Sequence, residues 1–171
     1  MADEKVLIVD DDPAIRKLLT KVVENNGFKS MTAANGQEAV ALAQNRKFDL
    51  ILLDIMMNGV DDGFDAIRNL RATGNDIPIV ILSGRTEDFD TLYGLDIGAD
   101  DYITKPFNPV VLGAKIKALI RRNKKAAYNA HNFITAGPFR YSNMTLEFFK
   151  NEQLIPLSSK ENVMMKLFIS N

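Results

Sequence analysis

Short apolar runs alternate along residues 1–122 with segments in which apolar side chains recur at helical spacing. The clearest runs are Val6–Val9, Leu50–Leu53 and Pro78–Ser83. A continuous apolar run of this length is typical of a strand that is covered on both faces, as in a parallel sheet. Two further strands are predicted at Lys29–Ala33 and Asp101–Thr104.

Helices are predicted between these strands. Asp12 followed by Pro13 is typical of an N-cap and a first helical residue, and Gly27 marks the end of that helix. The other helices are predicted from Asn35-Gly36 onward, over Gly63–Leu70, around Glu87–Gly94, and from Pro109 to about Arg122. Five strand–helix pairs imply an α/β fold with a five-stranded, parallel, doubly wound sheet and right-handed connections.

The pattern changes after Arg122. Residues 123–132 show no periodicity, and we interpret them as a linker. In residues 133–171, short antiparallel strands are predicted at Phe139–Tyr141, Thr145–Phe149 and Gln153–Leu157. Ser158 or Ser159 is expected to cap a helix that has Glu161 near its start. The prediction is a domain at residues 1–122, a linker at 123–132, and an incomplete small domain at 133–171.

Composition and charge narrow the possible functions. The chain has 171 residues and no cysteine, which excludes disulfides and thiolate metal sites and is consistent with a reducing cytoplasm, the expected location. No apolar run approaches the roughly 18 residues of a membrane span, so no membrane association is expected. Residues 1–122 carry 15 Lys and Arg against 19 Asp and Glu, whereas residues 123–171 carry 6 against 3. The resulting net charges, −4 and +3, are too small to establish nucleic-acid binding.

Polar residues stand where four predicted strands end: Asp10-Asp11, Asp54, Ser83 and Lys105. Because ligands of open parallel sheets bind beyond the carboxyl ends of the strands, these residues should gather at one edge. Carboxylates crowded there repel one another unless a cation lies among them, and Mg²⁺ is the cation suited to oxygen ligands. A carboxylate beside Mg²⁺ can act as a nucleophile and form an aspartyl phosphate, with an ammonium and a hydroxyl as partners for the phosphoryl oxygens.

These residues carry a family resemblance. Val9-Asp10-Asp11, Leu53-Asp54, Leu82-Ser83-Gly84 and Lys105-Pro106-Phe107, in this order, resemble the receiver domain of two-component response regulators, a flavodoxin-like (βα)5 fold, over residues 5–122. The run 94–107 is similar to the OmpR/PhoB-type transcriptional regulators, and residues 137–161 resemble the start of their winged-helix DNA-binding domain.

The resemblance implies a role for each of the site residues. Asp54 would be the phosphoacceptor, with a sensor histidine kinase as donor. Mg²⁺ would be bound directly by Asp11 and Asp54, by the backbone carbonyl of Met56, and by Asp10 through a water molecule. The implied phosphate-binding and switch residues are Ser83, Tyr102 and Lys105, and the Lys105-Pro106 bond would be cis.

A homodimer formed on phosphorylation is also implied, with pairing through the fourth helix, fifth strand and fifth helix. The charged candidates for this face are Asp96, Asp101, Lys115 and Arg122. Thr91 and Val110-Val111 replace charged residues that the family commonly has, which predicts a more apolar or a weaker interface.

The sequence also departs from the family beside Asp54. Asn58 replaces a common proline, and the loop Asn58–Gly63 carries one extra residue. We therefore expect a longer, less rigid loop there, which the fold tolerates easily.

The leading hypothesis is a phosphorylation-gated transcription regulator that is not itself an enzyme. DNA binding is expected of the intact parent protein only, because the recognition helix is not among these residues. An alternative is a phosphohydrolase with an aspartate nucleophile, but such enzymes need a second acid where Met56 stands. A protein-interaction switch without DNA output is a third possibility, against which the winged-helix resemblance argues.

Overall fold

Five parallel strands form one sheet in the computed structural model, which describes residues 3–57, 62–84, 88–142 and 145–170. The strands are β1 (Lys5–Val9), β2 (Lys29–Ala33), β3 (Leu50–Leu53), β4 (Ile79–Ser83) and β5 (Asp101–Thr104). They lie in the order β2-β1-β3-β4-β5, and every neighbouring pair is parallel. The winding direction therefore reverses between β1 and β3, as in a doubly wound sheet. The predicted fold class is confirmed.

Five helices connect and follow these strands: α1 (Pro13–Asn25), α2 (Gly36–Asn45), α3 (Asp62–Ala72), α4 (Asp88–Asp96) and α5 (Pro109–Asn132). The predicted cap of α1 is confirmed, since Asp12 Oδ1 accepts a hydrogen bond from the amide of Ala14 at 2.8 Å. Gly27 follows this helix with φ +88°, a left-handed conformation that glycine adopts without strain.

Strand residues alternate between two buried clusters, one on each face of the sheet. Val6 and Ile8 pack with apolar residues of α1 and α5, whereas Leu7 and Val9 pack with those of α2 and α3. Both faces are therefore covered, which explains why the central strands β1, β3 and β4 are continuously apolar rather than alternating.

The fifth helix corrects one expectation. We predicted that it ends near Arg122 and that residues 123–132 form an irregular linker, but α5 continues to Asn132. Residues 123–132 show no apolar period, yet this segment contains lysine and alanine, which favour helix, and neither glycine nor proline. The chain divides into two compact units, Met1–Ile120 and Arg121–Asn171. The assignment of domains stays a prediction.

The second unit contains an antiparallel sheet and one helix. Its strands are β6 (Phe133–Ala136), β7 (Phe139–Ser142), β8 (Phe148–Lys150) and β9 (Gln153–Ile155), followed by α6 (Ser159–Ser170). The sheet has the order β6-β7-β8-β9. Three of these strands were predicted with somewhat different bounds, and β6 was not predicted.

The start of α6 has the reciprocal cap that the sequence indicated. The Ser158 hydroxyl accepts from the Glu161 amide at 3.3 Å, and the Glu161 carboxylate accepts from the Ser158 amide at 2.7 Å. The hydrogen bond from the Ser158 amide to the carboxylate lowers the pKa of Glu161, and the Ser158 side chain lowers it further. Across the described ranges of the chain, we find no helix with the length and apolarity that crossing a lipid bilayer requires.

Candidate functional site

Four neighbouring strands deliver polar residues to one edge of the five-stranded sheet. Asp10 and Asp54 directly follow β1 and β3, Ser83 ends β4, and Lys105 follows β5. Backbone hydrogen bonds fix these ends side by side: the Asp54 amide donates to Val9 O at 2.9 Å, and the Lys105 amide donates to Ser83 O at 2.7 Å. The structure thus brings together residues that are up to 95 positions apart in sequence.

The Lys105 ammonium links the two buried carboxylates. Its Nζ lies 2.9 Å from Asp10 Oδ2 and 3.5 Å from Asp54 Oδ2. Asp10 is 1% exposed and Asp54 is 7% exposed, so neither charge is well solvated by water. The remaining oxygens are used as well: Asp10 Oδ1 accepts from the Asp12 amide at 2.9 Å, and Asp54 Oδ1 accepts from the Met56 amide at 3.2 Å. A buried charge with such partners is tolerated, whereas an isolated one is not.

Burial dominates the electrostatics of Asp54. It raises the pKa of the Asp54 carboxyl, and the neighbouring Asp10 charge raises it further. The Lys105 ammonium and the Met56 amide oppose this effect without cancelling it, so the pKa stays above its ordinary value. Burial acts to lower the pKa of Lys105, but the hydrogen bond to Asp10 and the Asp54 charge outweigh it and leave that pKa raised. Lys105 is therefore a permanent cation at neutral pH.

Asp10, Asp11 and Asp54 form a cluster with the donor chemistry of a magnesium site. One carboxylate oxygen from each residue lies within 4.8 Å of the others. This spacing allows one small cation to reach all three carboxylates, directly or through water, and hard oxygen donors suit Mg²⁺. The residues present therefore fit the metal that the resemblance implies.

The remaining predicted site residues lie on the same edge or close to it. Ser83 is 1% exposed at the end of β4. The Met56 amide donates a hydrogen bond to Asp54, while the residue as a whole is 36% exposed. Tyr102 on β5 is half-buried and packs against the cluster on the α2–α3 side of the sheet. The Lys105-Pro106 bond is cis, as expected.

The residues predicted for a dimer face behave differently from one another. Lys115 Nζ lies 3.1 Å from Asp101 Oδ2 in the same chain, so these two form an internal ion pair. Asp96 and Arg122 are exposed. Helices α4 and α5, which carry Asp96 and Arg122, also expose apolar side chains, namely Leu92, Leu95, Val110 and Val111. Pairing between chains stays a prediction.

Two further residues contact the site, and the sequence did not predict these contacts. Arg16 Nη1 donates to the backbone carbonyl of Asp10 at 2.7 Å. Gly63 lies so close to β3 that an added Cβ would be 2.3 Å from Ile55 Cα and 2.6 Å from Asp54 O. A glycine in the first turn of a helix is a signal of close approach, but the sequence does not identify its neighbour. In the predicted longer loop, residues 58–61 lie outside the described residues.

Comparisons with known proteins agree with this geometry. The family model described as response regulator receiver domain matches residues 6–117. A solved structure, the Francisella response regulator 1452 receiver domain, superposes with a TM-score of 0.67 at 34% identity, covering 71% of this chain and 99% of that one.

Curated relatives extend the similarity through the second unit. The probable transcriptional regulator ycf27 of Guillardia theta is 37% identical over 172 residues, which is 98% of this chain and 66% of the relative. The transcriptional regulatory protein YvrH of Bacillus subtilis is 36% identical over 170 residues, covering 98% of this chain and 71% of the relative. The PhoP protein of the same organism, named for alkaline phosphatase synthesis, is 42% identical over 125 residues, covering 73% and 52%. The chain thus spans about half to seven tenths of the length of these relatives.

Proposed function

The chain belongs to the response regulator receiver domain family, and on that premise we propose that Asp54 accepts a phosphoryl group from a sensor histidine kinase. The observation that carries this proposal is the bridge from Lys105 to Asp10 and Asp54, beside the carboxylate of Asp11. It places a cation and an acidic cluster around one carboxylate at the switch point of the sheet.

The chemistry follows from these positions. Mg²⁺ would be held by Asp11, by Asp54, by the Met56 carbonyl and, through water, by Asp10. When bound, it would supply positive charge opposite the carboxylates and the phosphoryl oxygens. An Oδ of Asp54 forms the new bond to phosphorus while the bond from phosphorus to the donor imidazole nitrogen breaks. Lys105 and the Ser83 hydroxyl are positioned to receive phosphoryl oxygens through charge-assisted and ordinary hydrogen bonds.

Phosphorylation would act as a switch. It replaces one carboxylate charge with a group carrying about −1.5 to −2 and three strong acceptors. Ser83 and then Tyr102 would respond, and the face carrying Asp96, Asp101, Lys115 and Arg122 would be biased toward forming a homodimer.

The proposed output is transcription, because the relatives ycf27, PhoP and YvrH carry that function in their names. We assign the second unit to the start of a winged-helix domain, and DNA binding to the longer parent protein. That protein would work in the cytoplasm, where the kinase domain and DNA are both accessible. A regulator rather than a phosphohydrolase is favoured by Met56, which stands where the hydrolase needs an acid.

The direct test is phosphoryl transfer from a small phosphodonor. The chain is incubated with acetyl phosphate and Mg²⁺ and its intact mass is measured, for wild type, Asp54→Asn and the exposed control Asp76→Asn. Wild type and the control should each gain one phosphoryl group, and Asp54→Asn should gain none. Equal uptake by Asp54→Asn would show that the acceptor has been misassigned. Site-specific DNA binding by the full-length parent tests the transcriptional output separately.

A further inference from the structure

Arg16 reaches from the second turn of α1 back to the end of β1. Its Nη1 donates a 2.7 Å hydrogen bond to the backbone carbonyl of Asp10, and this bond is partly buried. A guanidinium bound to a carbonyl gives a charge-assisted hydrogen bond, which is stronger than one between neutral groups. The contact does not involve a carboxylate, so it fixes the backbone and leaves the acidic oxygens available.

This hydrogen bond is one of two that restrain the turn carrying Asp11. The peptide before Asp11 is held at its carbonyl by Arg16. The peptide after Asp11 is held at its amide, because the Asp12 N–H donates to Asp10 Oδ1 at 2.9 Å. Asp12 in turn caps α1 through Ala14 at 2.8 Å, and its carbonyl accepts from the Arg16 amide at 3.0 Å. Both peptide groups that flank Asp11 are therefore fixed, which restricts where its Cα–Cβ bond can point.

We propose that Arg16 is a positioning residue for metal binding: by holding the Asp10 carbonyl, it aims the Asp11 carboxylate toward Asp10 and Asp54. The proposal rests on the proposed function, since it takes the three-carboxylate cluster as a Mg²⁺ site. Mg²⁺ demands near-ideal octahedral geometry, so a small rotation of one ligand is costly. Groups that orient ligands without touching the metal typically change affinity by about 10- to 100-fold when removed.

The positive charge of Arg16 should affect the affinity for Mg²⁺ in the opposite direction. The effect of charge and the effect of positioning can therefore be separated. A guanidinium near the cluster repels a divalent cation. If charge alone mattered, removing it would strengthen Mg²⁺ binding. If position matters more, removing Arg16 weakens binding although a repulsive charge has gone. The neighbouring Lys17 is an exposed residue on the same helix. Lys17→Gln therefore removes one positive charge from α1 and keeps the hydrogen bond from Arg16 to the Asp10 carbonyl.

The experiment measures the Mg²⁺ dissociation constant of the whole chain by following amide shifts in NMR titrations. We expect Arg16→Gln to bind Mg²⁺ about 10-fold more weakly than wild type, and Lys17→Gln to bind as wild type or slightly more tightly. In the metal-free protein, Arg16→Gln should also shift the amide signals of Asp11 and Asp12. Arg16→Lys keeps the repulsive charge, but its shorter side chain does not hold the Asp10 carbonyl as the guanidinium does, so it should bind Mg²⁺ at least as weakly as Arg16→Gln. It also serves as the second variant if the glutamine substitution does not fold.

The possible outcomes separate the two proposals. If wild type and Lys17→Gln do not bind Mg²⁺, the proposed function fails and the role of Arg16 fails with it. If wild type binds Mg²⁺ and the Arg16 variants bind as tightly or more tightly, Arg16 has no positioning role and the metal site stands.

Discussion

At the scale of single residues, the Asp54 carboxylate lies in a buried environment that disfavours its negative charge. Burial raises the pKa of its carboxyl, and the nearby charge of Asp10 adds to this. The Lys105 bridge compensates only in part. A carboxylate that is poorly solvated by water and shares one cation keeps its electron density available for attack, and this arrangement lowers the stability of the fold. The same residue therefore links the proposed chemistry to the stability of the fold.

Asp54→Asn should stabilise the metal-free protein at neutral pH. An acid with a raised folded-state pKa binds more protons when folded, so its carboxylate destabilises the fold as pH rises above the ordinary aspartate range. The amide removes this charge, and Lys105 keeps its 2.9 Å partner Asp10. We expect the Tm in EDTA at pH 7 to rise by roughly 3–5 °C, on the order of 1 kcal/mol. The gain should shrink as the pH falls below the raised pKa of Asp54 and should be lost once the pH reaches the ordinary aspartate value.

Thermal unfolding followed by circular dichroism checks this, with Asp76→Asn as the matched control because the same change there affects an exposed residue. A lower Tm for Asp54→Asn than for wild type in EDTA would mean that the Lys105 ion pair outweighs the cost of burial.

The positions of the candidate site residues were predictable from the sequence, while their roles stay a prediction. Three strands that were evident from apolar runs lead to Asp10, Asp54 and Ser83, and the shorter predicted strand β5 leads to Lys105. Parallel topology then places all four residues at one edge. Arg16 was not predicted, because a side chain that binds a backbone carbonyl leaves no trace in the pattern of residue types. The pairing of Asp101 with Lys115 was missed because it depends on how a strand faces a helix.

At the scale of elements, the first turn of α3 packs directly against the end of β3. The Gly63 amide donates to Ile55 O at 3.2 Å, and an added Cβ at Gly63 would be 2.3 Å from Ile55 Cα. That neighbour is backbone and cannot rotate away. This contact sets how α3 approaches the strand end that carries Asp54.

Gly63→Ala should therefore destabilise the receiver domain. Steric overlap with backbone forces the helix to shift, and overpacking typically costs about 1–3 kcal/mol or more. Urea unfolding measures this free energy. Gly84→Ala is the matched control, because among the described residues nothing lies within 4 Å of a Cβ built there. Equal stability of the two variants would show that α3 adjusts without cost.

The elements themselves show where sequence patterns succeed and fail. Strands β1, β3 and β4 and the starts of α1 and α2 were predicted because burial on two faces and caps such as Asp12-Pro13 leave strong signals. The end of α5 was placed ten residues too early, because residues 123–132 have no apolar period in the sequence. Strand β6 was missed because the segment before it was interpreted as linker, and a short edge strand has little pattern of its own.

At the scale of the whole molecule, the two compact units differ greatly in their cores. The first unit has two large buried clusters, one on each face of its sheet. The described part of the second unit has three buried apolar residues, Tyr141, Phe148 and Ile169. Helix α6 leaves several of its apolar side chains exposed: Val163, Met164, Leu167 and Phe168. Because stability grows with buried apolar area, the second unit should open far more readily than the first.

Phe148→Ala tests this difference directly. Phe148 is 1% exposed and stacks on Phe139 at a ring-centroid distance of 5.6 Å. Truncating a buried phenylalanine costs about 3–5 kcal/mol, which exceeds what so small a core can lose. In hydrogen exchange, amides of β6–β9 and α6 should lose their protection, while those of β1, β3 and β4 keep theirs. Phosphoryl uptake at Asp54 should be unchanged, because that site lies wholly within the first unit.

Phe149→Ala, the same change at the half-buried next position, should have a smaller effect. Unchanged protection of amides in the second unit, or slower phosphoryl uptake at Asp54, would contradict the view that the receiver domain folds and accepts phosphate independently of the second unit.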